Sequence, residues 1–175
     1  MPEYQDVYFV DHANLLISLS QISETLCILL IPFFLKRYGI KRVMLIAMVA
    51  WAFRFGFFAI GNPSFPAVTW FILSMIVYGV AFDFFNISGS LFVNNETDSS
   101  IRSSAQGLFM IMTNGIGASI GMLIAQAVVN NFTYSQEAGG QFYTVGEWPT
   151  VWGIFAAYAL LVAIFFALIF KEKNQ

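Results

Sequence analysis

Residues Tyr78 to Asn94 read YGVAFDFFNISGSLFVN, a run of apolar and aromatic residues with one carboxylate, Asp83, inside it. The run is part of a stretch long enough to cross a bilayer. On insertion scales a carboxylate at mid-bilayer costs about 2.5 to 3.5 kcal/mol, so such a residue calls for a lumen, a partner or a proton. At helical spacing Tyr78, Phe82 and Asn86 fall on one stripe with Asp83 at its edge. That stripe offers rings, a hydroxyl, an amide and a carboxyl, which suits a polar, ring-shaped solute.

Composition agrees with a membrane setting. Of the 175 residues, 58% are hydrophobic and 10% charged, against about 25% charged in an average soluble domain. Twenty Phe carry much of the 18% aromatic content, more apolar surface than a soluble chain of this size can bury. The single cysteine, Cys27, lies in an apolar stretch and allows no internal disulfide. Met1 to His12 is polar and acidic, unlike a cleavable signal, and reads as an external loop.

Five stretches have the length of a span: about Ala13 to Leu35, Val43 to Ile60, Ala67 to Val93, Ser104 to Val129, and Val151 to Phe170. Lys36, Arg37, Lys41 and Arg42 follow the first, Arg102 lies between the third and fourth, and Lys171 and Lys173 follow the fifth. The intervening loops, Gly61 to Pro66 and Asn130 to Thr150, hold no Lys or Arg. The positive-inside rule therefore puts the N-terminus outside and the C-terminus in the cytoplasm. An odd number of spans that begins outside without an export signal is expected of the C-terminal piece of a longer protein.

In the first span Asn14, Ser18, Gln21 and Thr25 follow helical spacing with Glu24 beside them, giving one wet face. The serines serve equally well as hydrogen-bond donors to neighbouring helices. Glu24, well inside a span, is a functional candidate by default. Arg54, among Trp51, Phe53, Phe55, Phe57 and Phe58, reads first as a structural cation. It would pair with a carboxylate of another helix or snorkel outward, with substrate contact the lesser reading. In the fourth span Asn114, Ala118, Gly121 and Ala125 form a small-residue face for close helix packing, and Gln106 and Asn114 read as interhelical hydrogen-bond partners. The fifth span, nearly all Ala, Leu, Ile, Val, Phe and Tyr, suits an outer, lipid-facing helix.

Several chemistries are excluded. One His and one Cys assemble no metal cluster, and no GxxxxGK[ST] phosphate loop occurs. The basic residues are explained by topology and do not form a nucleic-acid surface. An intramembrane acid protease needs two aspartates in spans, and only Asp83 qualifies. No cofactor is implied, and the chain does not read as an enzyme.

The loop LKRYGIKR, Leu35 to Arg42, and the run RSSAQG, Arg102 to Gly107, resemble the basic loop and the R-x-x-A-x-G loop of major facilitator transporters. Joined to YGVAFDFFNISGS from Tyr78 and to SQISET around Gln21 and Glu24, they make the chain resemble the C-terminal half of the nucleoside:proton symporter family. The resemblance runs from about Leu15 to Gly121 and more loosely to the end. It implies substrate contacts at Gln21, Glu24, Tyr78 and Phe82, with Asp83 beside them as the acid associated with proton coupling. Asn86, Thr25 and Arg54 are candidates for a supporting shell. It also implies that the N-terminal half of the same transporter, absent from this chain, supplies the other wall of the cavity.

The expectation is thus an all-α membrane protein of five transmembrane helices, a partial C-terminal half of a major facilitator fold. Its partners would be a nucleoside, the proton and the lipid of the cytoplasmic (inner) membrane. A sugar or oligosaccharide:proton symporter of the same superfamily uses similar carboxylates and amides. A non-transporting interaction module would use Glu24 and Asp83 as interhelical hydrogen-bond partners only.

Overall fold

The computed structural model describes residues 8–170. The external loop expected over Met1 to His12 lies outside it as far as residue 7, and so do Lys171 and Lys173. After a short helical turn at Tyr8–Asp11, helix α1 runs Ala13–Ile60 over 48 residues. Held straight, such a helix would reach about 72 Å, more than twice the roughly 30 Å hydrocarbon core. It is not straight, because Gly39 takes φ 77°, ψ 170° in its middle.

Packing shows where the two limbs go. Cys27 and Ile31 of the first limb share one buried cluster with Val43 and Ala47 of the second, around Phe84. On a straight helix Cys27 and Ala47 would stand about 30 Å apart. The chain therefore doubles back at Gly39. The backbone conformation there is open essentially to glycine alone, and any other residue is strained by about 1 to 3 kcal/mol. Gly39→Ala is expected to lower stability by about that amount, read from the midpoint of thermal melting. An unchanged midpoint would show that the turn accepts a side chain.

Helix α2, Val68–Glu96, lies against both limbs, and α3, Arg102–Phe132, is α-helical at each end with a π-helical segment at Ile111–Gly117. Strands β1, Thr133–Ala138, and β2, Gln141–Gly146, form an antiparallel hairpin, and α4, Trp148–Ile169, closes the described chain. Four continuous helices are long and apolar enough to cross a membrane, where the sequence led us to expect five spans. The difference lies at Gly39: the first two expected spans are one helix by continuity and two antiparallel limbs by packing. The all-α bundle carries one small addition, a hairpin in a loop. Within the loop expected over Asn130 to Thr150, Gly139 (φ 62°) and Gly140 (φ 76°) make the positive-φ pair of a tight hairpin turn.

Helix α4 packs one face on the second limb, with Trp152 against Phe55 and Phe58 and with Ala159 and Ala163 buried. Tyr158, Leu161, Phe165 and Leu168 point away. Lys41 Nζ donates to the Ala167 carbonyl at 3.0 Å, and Phe92 meets Phe170 at 4.9 Å. The Gly39 turn and the C-terminal ends of α2 and α4 thus gather at one end of the bundle. Helix α3 lies at the edge, with no fully buried residue among those described. Its small-residue face, expected to pack closely, is open at Gly121, where a Cβ would have nothing within 4 Å among the described residues. Gln106, by contrast, bridges helices as expected. Its Nε2 donates to the Ser90 carbonyl at 2.7 Å, and its Oε1 accepts from Ser90 Oγ at 2.9 Å.

Candidate functional site

The site begins with a glycine. Gly79 lets α2 approach the first limb so closely that a Cβ there would stand 2.7 Å from the Ser23 carbonyl carbon and oxygen and 2.8 Å from the Glu24 nitrogen. Ser23 Oγ ties the approach by donating to the Ile76 carbonyl. Contact at this level brings Tyr78, the residue before Gly79, beside Glu24, close enough for the phenol and the carboxylate to interact.

Tyr78 is the hub of the cluster. Phe82, one turn on, stacks with it at 5.6 Å between centroids and 25° between planes. Trp51 of the second limb meets it edge-on at 5.9 Å, and the Arg54 guanidinium carbon stands 3.9 Å from the centre of its ring. The structure therefore brings together Glu24, Arg54, Tyr78 and Phe82, drawn from both limbs of α1 and from α2. Phe82 remains 38% exposed, so the stacked pair presents a ring to the open side. Gln21 is also exposed, one turn before Glu24 on the same helix.

Asp83 is buried beside this cluster. It is 9% exposed, with Oδ2 buried and unbonded among the described residues, and it interacts through space with Glu24 and Cys27. Two of the supporting residues are engaged with their own helices. Thr25 Oγ1 donates to the Gln21 carbonyl at 3.0 Å, and Asn86 Nδ2 donates to the Phe82 carbonyl at 2.9 Å. Such back-bonding satisfies a hydroxyl or amide inside an apolar phase without any solute.

A surface of carboxylate, phenol and stacked ring inside a helical membrane bundle narrows the families to compare. The family model described as nucleoside H+ symporter matches residues 3–175. The chain belongs to the nucleoside H+ symporter family. Two curated relatives show the degree of likeness. The xanthosine permease of Escherichia coli (strain K12) is 53% identical over 174 residues, covering 99% of this chain and 40% of its own length. Nucleoside permease NupG of the same organism is 49% identical over 173 residues, again 40% of its own length. A crystal structure of the nucleoside transporter NupG superposes with a TM-score of 0.84 at 49% identity over 98% of this chain, and that of a mutant form gives 0.86. This member of the symporter family thus spans about 40% of the length of the relatives it matches. That share fixes how much of a relative it corresponds to, while the C-terminal placement rests on the motifs alone. The family is one of multi-pass membrane transporters rather than enzymes.

Three positions that build this cluster escaped the sequence reading. Gly79 carries the close approach, Ser23 the cross-link, and Ser74 Oγ donates to the Arg54 carbonyl at 3.3 Å. Their signal is small size at i−4 and i+1 from Tyr78 on α2, and next to Glu24 on α1, which small-residue packing in membranes would have flagged.

Proposed function

We propose that this chain forms one wall of a proton-coupled nucleoside importer of the cytoplasmic membrane, working by alternating access between it and the rest of the transporter. The observation that carries the reading is the convergence of Glu24, Tyr78 and Phe82 on one surface. An ionised carboxylate accepts from paired ribose hydroxyls, and an exposed ring stacks on a base. Gln21, exposed one turn before Glu24, donates to and accepts from sugar or base. Asp83, buried and unbonded on one oxygen, is the group assigned to carry the proton. The N-terminal end is assigned to the outside and the C-terminal end to the cytoplasm, from the distribution of Lys and Arg.

The stacked ring pair favours a nucleoside over a hexose, since it offers area to a planar base. In a transporter of the relatives' length that contains this chain, Glu24→Gln removes a hydrogen bond to a charged group, worth about 1.5 to 3 kcal/mol. Uridine affinity is expected to fall by roughly one to two decades in calorimetric titration. Unaltered affinity, or uptake in which a hexose competes and uridine does not, would refute the assignment.

A further inference from the structure

We propose that Arg54 is a positioning residue of this site, holding the Tyr78 ring so that its hydroxyl is directed at Glu24. The inference deepens the nucleoside reading and rests on it for what the site binds.

A cation inside a span has to be stabilised from within the protein or reach the interface. Arg54 turns inward. Its guanidinium carbon lies 3.9 Å from the Tyr78 ring centre, 5.5 Å from that of Trp51 and 5.6 Å from that of Phe58. Nη1 is buried without a hydrogen-bond partner among the described residues. Ring faces attract a desolvated cation, and three rings around one guanidinium make a cage. Trp51 and Phe58 lie three before and four after Arg54 on its own limb, and they account for its burial. They do not account for the ring it stands nearest, which belongs to another helix and lies beside Glu24. Glu24 also acts on Arg54 through space. Cation, ring and carboxylate therefore form a chain across three helical segments. Ser74 Oγ fixes the register of that chain by donating to the Arg54 carbonyl, one turn before Tyr78. A planar guanidinium over the phenol restricts the ring, and a restricted ring keeps its hydroxyl directed at the carboxylate that a ribose would meet.

The test is a double-mutant cycle in a transporter of the relatives' length that contains this chain, with uridine as the probe. Arg54→Gln should weaken uridine binding about tenfold in the native background. In the Tyr78→Phe background the phenol no longer reaches Glu24, and the same change should weaken binding less than twofold. A residue that only supports the bundle would do equal harm in both backgrounds, and equal harm overturns the proposal. Melting temperatures of Arg54→Gln, Tyr78→Leu and the double variant provide a readout without nucleoside. The two losses should fall short of additive, and strict additivity overturns the contact. If the native protein melts with this coupling and uridine does not bind, the nucleoside reading fails while the contact between Arg54 and Tyr78 stands. Should Arg54→Gln not fold, Arg54→Lys, which keeps the charge and loses the planar group, takes its place in both cycles.

Discussion

Gly79→Ala is expected to disable the site although it adds one methyl group and touches no substrate. A Cβ there meets backbone atoms of Ser23 and Glu24 at 2.7 to 2.8 Å, and backbone cannot swing aside as a side-chain tip does. The two helices must part. Overpacking of this kind destabilises by about 1 to 3 kcal/mol. A functional loss adds to this, because the movement takes Glu24 away from the rings of Tyr78 and Phe82. Weakening one charged hydrogen bond to the nucleoside corresponds to about 1.5 to 3 kcal/mol, or one to two decades of uridine affinity. Gly56→Ala is the matched control, since a Cβ there meets nothing within 4 Å. Calorimetry on both variants decides it: equal affinities would mean that the close approach at Gly79 does not hold the site.

Asp83→Asn should abolish accumulation driven by a pH gradient and yet leave uridine affinity within about tenfold, or 1.4 kcal/mol, of the native value. Asparagine keeps the shape of the carboxyl and removes the proton it can exchange. Binding should survive because Asp83 is buried, whereas the ring of Phe82 offered to the base is exposed. Folding should survive as well, since removing an uncompensated buried charge removes a desolvation cost. The measurement is uptake into proteoliposomes under an imposed gradient, alongside calorimetry. Accumulation persisting in Asp83→Asn would move the coupling role to Glu24 or to another part of the transporter.

Much of this arrangement is readable along the chain. Glu24 and Asp83 stand out because a charge is rare where twenty apolar residues run together, and Tyr78 and Phe82 follow from helical spacing. Arg54 stands out for the same reason, yet its neighbours in sequence are all apolar, so nothing there says that it turns toward Glu24 thirty residues away. Gly79 was equally silent: its importance depends on which backbone lies opposite, a tertiary fact. The hairpin of β1 and β2 is not legible because the stretch reads as an exposed external loop, although Gly139 and Gly140 carry the turn signal. In α3 the periodicity itself misleads. The π-helical segment Ile111–Gly117 sets residues five apart in register where an α-helix uses four. A stripe drawn from Asn114 to Ala125 at α-helical spacing therefore drifts off a single face.

The turn at Gly39 has a mechanical meaning. Its one non-helical residue leaves no slack between the limb that carries Glu24 and the limb that carries Arg54. A longer connection would let one limb tilt while the other stayed; this one transmits the tilt around the corner like a bent lever. Gln21 and Glu24 on one arm and Arg54 on the other are therefore joined through a single residue. Any tilt of one arm would be passed to the other and, through the Ser23 bond to Ile76 and the Arg54 contact with Tyr78, to α2 as well.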